Sequence, residues 1–378
     1  MSELARSDRS LIAEWRRMVD WPILSACFTL IAIGLVLSLA AGPPAAERLG
    51  YADYHFVFRH AVFACAGAGL LIAASLLDDQ WTRRAAAAVF VAAFFAMAFI
   101  LLFGHEAKGA QRWIRIGGFS LQPSEAVKPA LIVVSAWLLA QRQLYPAGPW
   151  MPVAFAFYIT TVGLLLLQPD VGQTALLTAA FITTFFVSGL PWKWASAFAA
   201  GGAALAAALY ALLPHVRWRV NSFLFPTEYD TGQIDRAQEA IARGGVFGAG
   251  PGEGSVKRVL PEAHNDFVYS VAGEEFGLLA TLGLIALIAF IALRGLRLAA
   301  RLDDLYPRAA ATGLFVLFGL QSAINIAVNL GMIPAKGMTL PFVSYGGSSM
   351  LGAALTLGFA LALVRRARPR LRVRRAYA

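Results

Sequence analysis

Four carboxylates fall within one stretch of an otherwise charge-poor chain. The segment LPEAHNDFVYSVAGEEFG, from Leu260 to Gly277, carries Glu262, Asp266, Glu274 and Glu275. Asp266, with His264 and Asn265 before it and Phe267 after it, stands where a polar segment gives way to an apolar run. A carboxylate at such a boundary is partly desolvated yet still reached from water, a setting suited to taking a proton from a hydroxyl. The same position suits a helix cap, because Asp and Asn accept hydrogen bonds from the first-turn N–H groups of a helix. Local sequence leaves both roles open.

The elements that must position this segment are membrane helices. The 378 residues are 58% hydrophobic and 14% charged, with a mean hydropathy of +0.63, whereas a soluble domain carries about 25% charged residues. The composition predicts an all-α polytopic membrane protein of about ten transmembrane helices. The expected spans are 22–42, 56–77, 85–104, 125–141, 150–168, 171–190, 193–213, 272–293, 309–330 and 347–364, each of a length to cross a hydrocarbon core roughly 30 Å thick. Gln168-Pro169-Asp170 reads as a tight surface turn between the fifth and sixth. The layout is then a cytoplasmic segment 1–21, a transmembrane domain 22–364 with a large extracytoplasmic loop 214–271 between helices seven and eight, and a basic tail 365–378. Cys27 and Cys65 both lie in apolar runs and read as buried thiols, and the five histidines form no metal-binding pattern.

An even number of spans puts both termini on one side, and 19 of the 32 Lys and Arg residues flank that side. The positive-inside rule makes it the cytoplasm. The tail attracts anionic membrane lipid, so the net charge of +10 does not imply nucleic acid. The other basic residues run against the trend: Lys108, Arg112, Arg115 and Lys128 around the loop before span four, and Arg217, Arg219, Arg236, Arg243, Lys257 and Arg258 in the large loop. External cations at membrane level suit an anionic lipid headgroup, a pyrophosphate above all. Gly244–Ser255 (GGVFGAGPGEGS) lacks the GK[ST] ending of a phosphate-binding loop and no strand precedes it. Its glycines are expected to let the chain lie close against the bundle, after a short surface helix over Asp235–Ala242. Glu125, Lys128 and Asp170 are intramembrane charges and candidates for function by default; Glu125 and Lys128, three apart, also read as a self-neutralising buried pair. Trp113 reads as an interface anchor.

Together KGAQRWIRIGGFSLQPSEAVK (108–128), QPDVGQ (168–173), the glycine-rich segment, LPEAHNDFVYSVAGEEFG and KGMTLPFVSYGGSS (336–349) resemble, in order, the SEDS family (shape, elongation, division and sporulation). The pattern departs at Ala237, where Tyr is common, and at Asn265, where Thr often stands. The resemblance implies a bacterial inner-membrane peptidoglycan glycosyltransferase that polymerises lipid II beside a class B penicillin-binding protein. Lys336 before Gly337 resembles the division-type branch, implying septal localisation, an FtsI-type partner and other divisome proteins; the elongation-type branch usually has a hydrophobic residue there. Asp266 falls on the family's essential aspartate, and a general base there would activate the attacking sugar hydroxyl. Charge on the departing pyrophosphate would be met by Arg112, Lys128, Arg217 or Arg243, or by a divalent metal ion, with no cofactor strictly required. Trp113, Glu125, Asp170, His264, Lys336 and Ser344 complete the expected substrate-binding set. A lipid II flippase and a non-catalytic scaffold are the rival readings. The crowding of these polar residues at the outer ends of their spans favours chemistry on that face.

Overall fold

Backbone groups in lipid must be satisfied within the chain, and apolar runs achieve this as helices. A computed structural model describes residues 10–103, 112–116, 119–191, 193–225, 232–334 and 337–365. In chain order the helices begin with α1 (Leu11–Met18), α2 (Trp21–Leu49), α3 (His55–Ser75) and α4 (Asp79–Phe103). A hairpin of β1 (Ile114–Ile116) and β2 (Phe119–Leu121) follows, with Ile114 opposite Leu121. Then come α5 (Pro123–Leu144), α6 (Trp150–Leu167), α7 (Val171–Val187), α8 (Lys193–Leu212), α9 (Pro214–Leu224), α10 (Gly232–Gly244), α11 (Val268–Ala299), α12 (Leu305–Asn329) and α13 (Gly347–Val364). Eight of these, α2 to α6 and α11 to α13, are long and apolar enough to cross a membrane. The 17-residue α7 and the Ala200–Leu212 part of α8 are shorter apolar helices at the positions of the sixth and seventh expected spans.

Helices α5 and α13 form the interior, buried along most of their length, with α12 beside both. Contacts at the two ends of the bundle fix the direction of the helices. At one end Arg294 holds Asp20 with two hydrogen bonds (2.8 and 2.9 Å), and Arg365 reaches the carbonyls of Ser75 and Leu76. At the other, Arg48 donates to Leu260 O (3.1 Å), Phe56 packs on His264, and Gln122 N donates to Ser348 Oγ (2.7 Å). Ser10 and Arg365, the first and last described residues, are therefore on the same side. The segment between α8 and α11 is not a bare loop: it holds α9 and α10, and α10 contains the surface helix expected over 235–242.

Three expectations are corrected. Helix α2 does not stop at 42 but runs through Pro43 and Pro44 to Leu49. An interior proline costs about 3 kcal/mol; the offset comes from packing, because Ala45 and Ala46 are buried under Phe56 and Tyr345. Cys65 is exposed on the outer face of α3, whereas Cys27 is buried; both are free thiols.

The third correction bears on the site. Helix α11 begins at Val268 rather than 272, and it is broken at Gly277 (φ 77°, ψ −174°), a conformation essentially confined to glycine. The membrane span proper is then Leu278–Ala299, roughly 33 Å at 1.5 Å per residue, a good match to the hydrocarbon core. In an unbroken helix Leu278 N and Leu279 N would donate to the carbonyls of Glu274 and Glu275. Here they donate to Gly245 O (2.9 Å) and Val246 O (3.3 Å), while those two carbonyls accept from Ala249 N (2.9 Å) and Gly250 N (3.1 Å). The glycine-rich segment is thus spliced into the gap. Its close approach demands glycine: a Cβ on Gly277 would lie 2.4 Å from Gly248 N, and one on Gly248 would lie 2.1 Å from Glu275 O.

Candidate active site

Asp266 lies in a turn just before α11, half-buried at the outer end of the bundle. It does not occupy the cap position. Phe267 does, without a side-chain bond, and the N–H of Ser270 in the first turn is taken by Asn329 Oδ1 (3.1 Å), which also accepts from Ser270 Oγ (2.7 Å). The backbone carbonyl of Asp266 accepts from Asn325 Nδ2 (2.8 Å) and Asn329 Nδ2 (3.0 Å), both buried on α12. Its carboxylate faces the 337–346 segment: a Cβ built on Gly337 would lie 3.3 Å from Asp266 Oδ2. Asn325 Nδ2 also donates to Met338 O (2.6 Å), so one amide joins the two segments that meet at the carboxylate.

His264 is buried in an aromatic cluster, its ring centroid 4.6 Å from Phe56 and 5.4 Å from Tyr345, and its carbonyl accepts from Tyr345 N (3.0 Å). Ser344 is buried and accepts from Leu340 N (2.8 Å), closing the turn that presents Tyr345. Lys336 lies outside the described residues.

Glu274 and Glu275, two of the other carboxylates of the motif, hold the large loop in place. Glu274 accepts from Val256 N (2.7 Å) and Lys257 N (3.0 Å), two buried bonds that anchor the 3-10 turn Val256–Arg258, and Glu275 pairs with the buried Lys257.

Two polar groups lie apart from Asp266 in the same half of the bundle. Arg112 Nε and Nη2 donate to the carbonyls of Gln168 and Pro169 (both 2.6 Å), and Nη1 stands 3.5 Å from Asp170, clamping the turn between α6 and α7. Asp170 caps α7 through Gln173 N (3.3 Å). Burial raises its pKa, with the Arg112 charge working in the opposite direction. Lys128, almost wholly buried, donates to Glu125 Oε1 (3.1 Å), Gln173 Oε1 (2.6 Å) and Gln321 Oε1 (3.2 Å), and Gln173 Nε2 returns a bond to Glu125 (2.8 Å). All three ammonium hydrogens are used, the arrangement of a self-neutralising pair.

Trp113 is exposed beside β1. Arg217 turns back on α8, donating to Tyr210 O (3.3 Å) and Ala211 O (2.6 Å). Arg243 is exposed and pairs with Glu239 (2.7 Å) and Ser255 Oγ (2.8 Å). The structure therefore joins His264 and Ser344 to the Asp266 neighbourhood, and links Arg112 and Asp170 to Glu125 and Lys128 through Gln173, whose N–H donates to Asp170 and whose side chain bonds the other pair. No group of three or more His, Cys, Asp or Glu side chains able to hold a metal ion occurs among the described residues. Gln321, Asn325 and Asn329 are absent from the sequence-based set, although three amides four residues apart in an apolar span are a readable stripe.

A ten-helix membrane bundle with a half-buried aspartate clasped at its outer end defines the class, and the chain belongs to the cell cycle protein family of FtsW, RodA and SpoVE, which matches residues 22–368. It is 50% identical over 365 residues to the probable peptidoglycan glycosyltransferase FtsW of Caulobacter vibrioides, covering 96% of this chain and 93% of that protein. The probable FtsW of Trichlorobacter lovleyi is 35% identical, covering 90% and 92%. Among solved structures, a chain from work on the structural coordination of polymerization and crosslinking by a peptidoglycan synthase complex superposes with a TM-score of 0.76 at 29% identity, covering 92% and 97%. The rod shape determining protein RodA of Thermus thermophilus superposes at 0.65 with 27% identity, covering 92% and 96%.

Proposed function

We propose that this chain is a division-type peptidoglycan glycosyltransferase that polymerises lipid II at the outer face of the bacterial inner membrane, with Asp266 as general base. The observation that carries the reading is the Asp266 turn: a half-buried carboxylate, one residue ahead of the helix cap position and set against the Gly337 backbone at the end of the bundle where the outer segments converge. In the reaction a sugar hydroxyl of one lipid II attacks the anomeric carbon of the lipid-linked strand. The Asp266 carboxylate takes the hydroxyl proton as the new C–O bond forms, and the bond to the pyrophosphate breaks with inversion. Pyrophosphate leaves as an anion, so the site must supply positive charge or hydrogen bonds rather than an acid. Arg112 and Lys336 lie in the motifs and Arg243 beside one, whereas Lys128 is engaged by its three buried acceptors; a divalent ion is an admissible alternative.

The names of the curated relatives support the activity, and the synthase complex among the structural neighbours supports a class B penicillin-binding protein as partner. Arg16, Arg17, Arg83, Arg84 and Arg294 are expected at the cytoplasmic end with both termini, and the division-type reading of Lys336 implies the septum. A transporter would draw on the buried Glu125–Lys128 group, but the Lys128 ammonium has all three hydrogens engaged by protein acceptors, which favours a structural part in the bundle.

The test is polymerisation of purified lipid II by the protein with its cognate penicillin-binding protein, beside Asp266→Asn. Loss of a positioned base typically costs about 10² to 10⁴ in rate, so the variant should be folded, able to bind its partner and inactive. Near wild-type polymerisation by Asp266→Asn removes Asp266 from the chemistry.

A further inference from the structure

Helix α12 carries three amides on one face, Gln321, Asn325 and Asn329, and each donates to a backbone carbonyl of an outer segment. Gln321 Nε2 reaches Thr339 O (3.4 Å), Asn325 Nδ2 reaches Met338 O (2.6 Å) and Asp266 O (2.8 Å), and Asn329 Nδ2 reaches Asp266 O (3.0 Å). Asn329 further ties its Oδ1 to Ser270 and its Nδ2 to Asn325 O (2.9 Å), so the two asparagines brace each other. Buried amides in lipid are retained where their hydrogen bonds are filled, and here the partners are the two strands of chain that flank one carboxylate.

We propose that Asn325 and Asn329 are positioning residues for the polymerisation reaction. They act through the carbonyls of Asp266 and Met338 to hold the Asp266 carboxylate at a fixed distance from the Gly337 backbone. The inference rests on the reading of Asp266 as the base. Both segments are irregular; one backbone hydrogen bond, from Tyr345 N to His264 O (3.0 Å), joins them at the far end, and the two hydrogens of Asn325 Nδ2, one to each segment, form the cross-brace beside the carboxylate. Without it the 337–340 segment and the Asp266 turn can separate, and displacement of a catalytic group by about 1 Å costs on the order of 10²-fold in rate. Neither asparagine needs to touch the substrate.

The experiment compares Asn325→Ala, Asn325→Ser and Asn329→Ser with Ser322→Ala, a buried control on α12 whose hydroxyl bonds only within its own helix to Phe318 O (2.9 Å). Initial rates of lipid II polymerisation by the full-length protein with its cognate penicillin-binding protein are normalised to folded protein. The expected result is a kcat lowered roughly ten- to one-hundred-fold in the Asn325 variants, a KM for lipid II within about twofold of wild type, and an unchanged control. Wild-type kcat per folded molecule overturns the proposal, as does a raised KM with unchanged kcat, which is the signature of a substrate contact. Should Asn325→Ala not fold, the two serine variants decide by the same criteria. Asp266→Asn, run alongside, separates the two levels. Full activity there refutes the base itself, whereas an inactive Asp266→Asn beside fully active asparagine variants refutes only the brace.

Discussion

Replacing Lys128 by Met should expose the cost of the buried ion pair. Lys128 is 1% and Glu125 5% exposed, and the ammonium fills three acceptors: Glu125 Oε1, Gln173 Oε1 and Gln321 Oε1. Methionine matches the stem of lysine in length, so packing is largely kept and the change isolates the charge. It leaves Glu125 as a buried carboxylate supported only by Gln173 Nε2 (2.8 Å) among its described bonds. Breaking a buried pair by removing one partner typically costs about 3 to 5 kcal/mol. The retained Gln173 bond places the expectation near the lower figure, while the stranded oxygens of Gln173 and Gln321 push it up. Adding Glu125→Gln removes the uncompensated charge, and the double variant should recover most of the loss. The assay is equilibrium unfolding of the detergent-solubilised full-length protein, read by tryptophan fluorescence. A Lys128→Met loss below about 1 kcal/mol, or a double variant no more stable than the single, refutes the account of this pair as a mutually neutralising structural element.

Gly277→Ala places a methyl group against Gly248 N and Val246 O and asks alanine to hold a glycine-only conformation; the strain is about 1 to 3 kcal/mol, and protease cleavage within 244–255 should rise, with an unchanged digestion pattern counting against the splice. Asp170→Asn keeps the cap on α7 and relieves a group whose charged form burial disfavours. A raised carboxyl pKa in the fold favours the folded state at low pH and is a liability as pH rises through it, so at pH 7 the variant should unfold within about 1 kcal/mol of wild type, and a larger loss would mean that the Arg112 contact outweighs burial.

The spans were legible because hydropathy measures what lipid requires, and the breakpoints were not. The expected span 272–293 ran through Gly277 without a break, and nothing local marks Gly277 as broken rather than merely glycine; the partner segment that fills the gap lies some thirty residues earlier, beyond any periodicity. Pro43 and Pro44 misled for the opposite reason, since a strong local stop signal was overridden by packing of Ala45 and Ala46. The motif around Asp266 could be found from its residue types, and the Glu125–Lys128 pair from its spacing. Sequence could not assign Glu274 and Glu275 to loop anchoring, because their partners are backbone N–H groups or a lysine in a distant turn. The amides of α12 were visible but mute: a polar stripe announces that partners exist without naming them.

The break at Gly277 has a mechanical corollary. Bilayers differ in thickness by several ångströms, and a helix that spans them accommodates mismatch by tilting. Were α11 continuous, any tilt of its membrane portion would swing the segment bearing the Asp266 turn like the far arm of a lever. With the break at Gly277, Val268–Phe276 is fastened to α12 through Asn329 and to the large loop through Glu274, and Leu278–Ala299 is expected to tilt about its two backbone bonds to Gly245 and Val246. A break so placed is expected to act as a compliant coupling between the outer chemistry and the membrane in which the protein floats. Initial rates measured in vesicles of short- and long-chain lipids should accordingly stay nearly constant for the wild-type protein and diverge for Gly277→Ala.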